Sequence, residues 1–438
     1  MRVRIGLAPA PPATERELML DLEASHEAYE RCRQSVGSGV SSGLRTAMRP
    51  HPLFVERGAG SRVWDVSGNE FVDYVMGWGP LILGHSHPSV VSAVTEVVAK
   101  MQMVGMGHRL EYEAAESVLD AVPHAERLLW SNTGTEAVQI ALRLARAATG
   151  RNTVVKFVHS YHGWHDSVFA SVRNHDGGEG ATLNSLGQNP NSVTDLILLP
   201  FNDIDAVRAV LGEAKERGIA AVLIDPIMSN AGVIAPDPGF LETLRSLCDA
   251  HDVVLVFDEV IAGFRIALGG VAERYGVRPD LSVFGKAIAG GFSQSAVVGR
   301  ASIIDLVGKG AVHAGTYNGN PVSLAAVQAT LTVLREDGQF DRLDAMAARM
   351  EAGIRGVFDE SDLPITTRRI GSLVQIVEQA PPGTQKLWPG LTGELLRNGV
   401  VALPSGKMFV STAHTADDIE RTVAALQMAT RSLDVHVG

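Results

Sequence analysis

From Arg62 onward the chain alternates between two hydrophobic patterns. Short, nearly unbroken apolar runs occur in TVVKFV (153–158), DLILLP (195–200), AAVLID (220–225), VVLVF (253–257) and LSVFG (281–285). Between them lie longer stretches with apolar residues at helical spacing, as in TEAVQIALRLARAATG (135–150), which stops at Gly150, and FLETLRSLCDAHD (240–252). An apolar run without alternation predicts a strand covered on both faces, and strands that take turns with helices predict parallel pairing with helices on either side. The expected fold class is therefore α/β, a mostly parallel sheet flanked by helices. Sheets of this kind bind ligands beyond the carboxyl ends of their strands.

The ends of the chain read differently. ERELMLDLEASHEAYERCRQ (15–34) has the pattern of an amphipathic helix, closed by the Gly/Ser run from Gly37 to Gly43. Alternation on either side of Ser67-Gly68-Asn69 predicts a hairpin over 62–75. Beyond Val322 a long helical pattern, SLAAVQATLTVLRED, leads into a mixed region that finishes with TADDIERTVAALQMATRSL. This divides the chain into an N-terminal helix and segment (1–60) that joins a smaller α+β domain (331–438), with a large domain (61–330) between them.

Composition narrows the function. With 45% apolar and 20% charged residues the chain is globular, and a net charge of -11 leaves no basic face for nucleic acid. Cys32 and Cys248 form no metal or redox spacing. The opening MRVRIGLAPAPPATEREL lacks the apolar core of a signal peptide, and no apolar stretch approaches the roughly 18 residues of a membrane span. A cytoplasmic protein with no membrane partner is expected.

The chemistry starts from VVLVF, which runs straight into Asp258 and Glu259. A buried anion is costly unless a cation meets it. Lys286, at the end of the next apolar run, is one candidate: desolvation at a strand edge lowers a lysine's pKa and frees its amine as a nucleophile. A structural ion pair with Asp258 is the plainer alternative. A third element, SNTGTEA (131–137), follows a strand and opens a helix, so that Thr133, Gly134 and Thr135 stand at a positive helix end suited to a phosphate. The same segment also fits an ordinary N-cap, with Thr133 or Thr135 capping and Glu136 in the first turn. A phosphate cradle, a buried carboxylate and an imine-forming lysine together describe pyridoxal 5'-phosphate. Its ring nitrogen stays protonated beside a carboxylate, which leaves Lys286 for its aldehyde.

These motifs resemble those of class III (fold type I) aminotransferases, and most closely the glutamate-1-semialdehyde aminomutase branch. The resemblance rests on GVSSGLR, YVMGWGPLILGHSHP, SNTGTEA, RLARAATGR, YHGWHD, FDEVIAGFR, FGKAIAGG and GTYNGNP, in that order from about Gly37 to Thr330. It implies that Lys286 binds the cofactor covalently and moves the proton, and that Asp258 contacts the pyridine nitrogen. Val260 and Tyr161 would pack on the two ring faces, Gly134 and Thr135 would hold the phosphate beside Thr133, and Asn230 would lie near the phenolic oxygen. Thr316 would reach the phosphate of a neighbouring subunit, making the protein a homodimer with shared sites. On the substrate side the resemblance implies Arg45 as the grip on a carboxylate, with Ser42 and Trp78 beside it.

Two departures stand out: Asp225-Pro226 replaces the family's usual Glu-Pro, and LPSGKMFVSTAHT has no acid between Leu403 and Thr415 where the aminomutases carry a glutamate. The second favours intermolecular transamination of amino acid and keto acid substrates, by a ping-pong mechanism, over isomerisation. An aminomutase or amino acid epimerase is the alternative within the cofactor class. A metallohydrolase built on His85, His87, His162 and His165, and a non-catalytic binding protein, are the alternatives outside it. Gly37, Gly39 and Gly43 approach a dinucleotide-loop spacing, but they follow a charged helix instead of a strand.

Overall fold

A seven-stranded sheet forms the centre of the computed structural model, which describes residues 20–172, 181–361, 363–379 and 386–434. In spatial order its strands are Arg127–Ser131, Ser295–Gly299, Leu281–Phe284, Val254–Asp258, Ile219–Ile224, Thr153–Phe157 and Leu196–Leu199. The last five pair in parallel, as the apolar runs predict. Ser295–Gly299 runs antiparallel to both of its neighbours and is not foreseen from the sequence. Its direction follows from chain length: the link 285–294 is shorter than the dozen or so residues that a parallel crossover needs.

The unbroken apolar character of Val254–Phe257 has a direct cause in the two layers that cover it. Leu255 and Phe257 pack with Phe240, Leu241 and Leu244 of the helix Phe240–Ala250. Val254 and Val256, on the opposite face by strand alternation, pack with Ala137, Val138 and Ala141 of the helix Gly134–Thr149. Each buried side chain of this size contributes about 1.5–3 kcal/mol of hydrophobic stabilisation, so neither face tolerates a polar substitution. Gly150 ends the second helix at φ 68°, in the left-handed region.

Three smaller sheets complete the architecture, one of them the antiparallel pair Ala170–Val172 and Ala181–Leu183. The hairpin Arg62–Asp65 and Glu70–Asp73 lies between Val55–Ala59 and the short strand Val400–Val401, which pairs parallel with Glu70–Asp73. Ile365–Ile370, Leu373–Glu378 and Lys407–Phe409 form an antiparallel sheet. Helices Gln339–Glu360, Trp388–Arg397 and Ala416–Asp434 share an apolar cluster with that sheet. At the other end, the helix expected over 15–34 spans Glu23–Arg33, and residues 15–19 of the expectation lie outside the described residues. A 3₁₀ turn, Gly37–Gly39, follows that helix, so the glycine run has no strand before it. Among the described residues no helix is long and apolar enough to cross a membrane.

Candidate active site

Strand alternation puts Asp258 on the same face as Val254 and Val256, the face covered by the helix Gly134–Thr149. Its Oδ2 lies 2.7 Å from His162 Nδ1, and its Oδ1 accepts the Val260 amide at 3.1 Å. Glu259 is fully buried elsewhere: Oε2 accepts the Val271 amide at 2.6 Å and Oε1 faces the Ser282 hydroxyl at 3.4 Å. Burial pushes the Glu259 carboxyl up to about 8, above its ordinary range. The two adjacent acids therefore solve burial differently, Glu259 by keeping its proton and Asp258 by partnership with charged and polar neighbours.

Lys286 begins a 3₁₀ turn directly after Leu281–Phe284, with φ 46°. A non-glycine residue in the left-handed region carries strain of roughly 1 kcal/mol or more, which the packed strand end over-determines. Desolvation lowers the Lys286 pKa against the pull of Asp258 and Asp225. The amine is thereby prepared as a nucleophile.

At the start of Gly134–Thr149 the capping alternative is realised for Thr133. Its side chain accepts the Glu136 amide at 3.2 Å, while Glu136 Oε2 accepts the amides of Asn132 and Thr133. The same cap leaves the Gly134 and Thr135 amides without an acceptor among the described residues. Capping and anion binding thus divide the first turn between them. A Cβ on Gly134 would lie 3.0 Å from Val260 Cγ2, so a larger residue here would press on the Val260 side chain.

These groups line one cavity of about 380 Å³, together with Tyr161, His162, Asn230 and Asp225. Tyr161 stands edge-on to Phe169, with 6.1 Å between ring centroids. Of the residues expected from the sequence, the structure brings Thr133, Gly134, Thr135, Tyr161, Asn230, Asp258, Val260 and Lys286 to this cavity. Ser42, Arg45, Trp78 and Thr316 do not line it. Ser42, Arg45 and Thr316 are exposed, Arg45 in the 3₁₀ turn Gly43–Ala47, and Trp78 packs against the core. Three histidines of the metal alternative are engaged otherwise, and the Nδ1 of the fourth, His87, is buried without a partner among the described residues. His85 Nε2 meets Asp73 at 2.8 Å, His162 meets Asp258, and His165 Nδ1 meets the Ser167 hydroxyl at 3.0 Å.

Three further residues at the site escape the sequence patterns. Lys156, buried within the strand Thr153–Phe157, donates to the carbonyls of Ser160, Val168 and Ala170 at 3.1, 2.9 and 3.3 Å. Burial brings its pKa down to about 8, with Asp258 pulling it back. In the sequence His162 stands out only as half of an HxxH spacing. Lys407, at the start of Lys407–Phe409, donates to Asn230 Oδ1 at 2.8 Å. A lone lysine in an apolar strand is the signal that could have found Lys156.

The cavity fits pyridoxal phosphate. Free amides at a helix N-terminus suit its phosphate, the Asp258 carboxylate its protonated ring nitrogen, and the desolvated Lys286 amine its aldehyde. Gly163 seals the phosphate end at φ 93°, and a methyl group there would lie 2.5 Å from Thr135 Oγ1 and 2.8 Å from Thr135 Cα. Gly163→Ala must therefore strain its own backbone or displace Thr135. Cofactor affinity, measured by titrating the cofactor-free protein with pyridoxal phosphate, is expected to weaken about tenfold or more, since 1.4 kcal/mol of strain suffices for that.

Comparison with known proteins agrees with this geometry. The family model described as aminotransferase class-III matches residues 45–429. Glutamate-1-semialdehyde 2,1-aminomutase 2 of Brevibacillus brevis is 39% identical, covering 94% of this chain and 99% of its own. An omega-transaminase from Sphaerobacter thermophilus superposes with a TM-score of 0.87 at 31% identity, over 93% of this chain and 97% of that one. A transaminase solved with PLP bound gives the same TM-score at 30% identity, over 94% and 98%. The fold is thus that of the fold type I enzymes, and the chain belongs to the class-III aminotransferases, which depend on pyridoxal phosphate.

Proposed function

We propose that this enzyme moves an amino group from a carboxylate-bearing amine donor to a separate keto acid or aldehyde acceptor in a ping-pong cycle. The observation that carries this reading is Lys407. An isomerase must retain a substrate-derived amine through both halves of its reaction, a role suited to the glutamate that the aminomutases carry near the C-terminus. Here the segment 403–415 has no acid and places a lysine beside Asn230. The likeness to an omega-transaminase supports an amine remote from the donor's carboxylate, as in a β- or ω-amino acid.

Bound pyridoxal phosphate supplies the aldehyde that takes up the amine and a cationic ring that delocalises the electron pair left by proton removal. Lys286, displaced from that aldehyde by the donor, removes the proton from the donor carbon and returns it to the cofactor side. Asp258 holds a negative charge at the ring nitrogen, and Val260 and Tyr161 close the ring faces. The exposed Arg45 and Thr316 belong in this reading to a site completed by a second copy of the chain, Thr316 reaching the partner's phosphate and Arg45 meeting the substrate carboxylate.

The similarity to aminomutases favours a second reading, isomerisation or epimerisation without an acceptor. The two separate in one assay: the purified enzyme is given candidate β- and ω-amino acids with and without pyruvate or 2-oxoglutarate. Transfer requires the acceptor for more than one turnover. Sustained conversion of an amino acid or of an amino aldehyde alone would establish the second reading.

A further inference from the structure

Lys407 has a role that the bare cavity lining does not reveal, because its side chain lies behind the wall. It is 6% exposed, and its Nζ lies 2.8 Å from Asn230 Oδ1. When Lys407 carries its proton it has only hydrogens to give, and the Asn230 atom facing it is then the carbonyl oxygen. The Asn230 amide nitrogen has no partner among the described residues, and Asn230 lines the cavity. Lys407 therefore fixes which end of the amide the cavity meets. The open end is a donor.

The family resemblance places Asn230 near the phenolic oxygen of the cofactor, and the cofactor's other polar groups fit that placement. With its ring nitrogen at Asp258, its aldehyde at Lys286 and its phosphate at Gly134 and Thr135, one polar substituent is left, the ring hydroxyl next to the aldehyde. That edge faces away from the phosphate arm. Lys407 is close enough to Lys286 for their charges to repel, which puts Asn230 on the aldehyde side of the cavity. We propose that Lys407 is a positioning residue, orienting Asn230 so that its amide donates to the anionic ring oxygen of the cofactor and lowers the proton affinity of the nitrogen linking cofactor to Lys286. The proposal rests on the cofactor placement and not on the choice between transfer and isomerisation.

The charges around Lys407 favour a short-range effect. Besides Asn230, the groups that face it are Asp225, Lys286 and, at 6.0 Å from Nζ to centroid, the Phe409 ring. Burial brings Lys407 down to about 7, helped by Lys286 and opposed by Asp225, while burial and Asp258 raise Asp225. The Lys407–Asp225 pair carries no net charge, so its field in the cavity is weak. Asn230 transmits what Lys407 does. A donor to the ring oxygen competes with the hydrogen bond between that oxygen and the protonated linking nitrogen, so the wild-type nitrogen should lose its proton at lower pH than one without the donor.

The experiment is an absorbance titration of the cofactor-loaded enzyme with no amine added, which makes it independent of the substrate. Lys407→Met removes the orienting donor and Asn230→Ala removes the amide. Each is expected to raise the midpoint of the cofactor's colour change by at least about 0.5 pH unit, a threefold gain in proton affinity. The double variant is expected to match the larger single effect, because both act through one hydrogen bond. An unmoved midpoint in Asn230→Ala, or in Lys407→Met that still binds cofactor, would overturn the proposal, as would a double variant whose shift equals the sum of the two. Should Lys407→Met fail to fold, Lys407→Leu takes its place under the same criteria.

Discussion

Lys286→Ala is expected to lose all measurable turnover, at least about 10³-fold, while still binding pyridoxal phosphate. The size follows from two functions lost together: a general base worth roughly 10²–10⁴-fold, and the tether that presents the aldehyde to an incoming amine. Retention of the cofactor follows from the geometry. The Gly134 and Thr135 amides, the Asp258 carboxylate and the Val260 and Tyr161 walls belong to other segments and do not depend on the lysine side chain. Backbone strain at Lys286 persists in the variant, since alanine at φ 46° is no easier than lysine, so the turn should neither relax nor collapse. Borohydride treatment followed by mass analysis provides the check. The wild type should retain a cofactor adduct on the peptide carrying Lys286, and the variant should show free cofactor and no adduct. A variant with more than a few per cent of wild-type turnover would remove Lys286 from the mechanism.

Sequence patterns reach as far as local physics does. The runs at 153–158, 195–200, 220–225, 253–257 and 281–285 are legible because a strand covered by two layers has no polar face, and Leu255 and Val256 report opposite layers within two residues. Ser295–Gly299 is hidden by the Gly and Ser residues in and around it, and its direction depends on the length of the preceding link. Lys286, Asp258 and the segment 131–137 are legible because each sits at an element boundary with chemistry out of keeping with its neighbours. His162 and Lys407 gain their meaning only from partners 96 and 177 positions away. No periodicity encodes such distances. Arg45 and Thr316 pose a different problem. Their expected roles come from a family pattern in which two chains share a site, and a single chain leaves both exposed.

Asp258→Asn is expected to lower turnover about 10²- to 10³-fold with little loss of cofactor, the scale on which preorganised charge stabilisation acts. The reason lies in how His162 constrains the substitution. His162 is buried, its pKa is lowered chiefly by desolvation, and its Nε2 has no partner among the described residues. An unpartnered N–H in that position would be costlier than an unpartnered lone pair, so the proton sits on Nδ1 and is donated to Asp258 Oδ2 at 2.7 Å. An asparagine must keep its oxygen toward His162 to preserve that bond. Its amide nitrogen then faces the cofactor ring, where it can only donate, and a ring nitrogen that accepts a hydrogen bond has lost its proton and much of its capacity to take up electrons. Asp258→Asn thus converts the anionic partner into a donor and gives up the hydrogen bond that Oδ1 accepts from the Val260 amide. A cofactor analogue methylated on the ring nitrogen, permanently cationic, should recover part of the lost rate in the variant and none in the wild type. Equal responses in the two enzymes would place the role of Asp258 in packing and take the ring nitrogen out of the account.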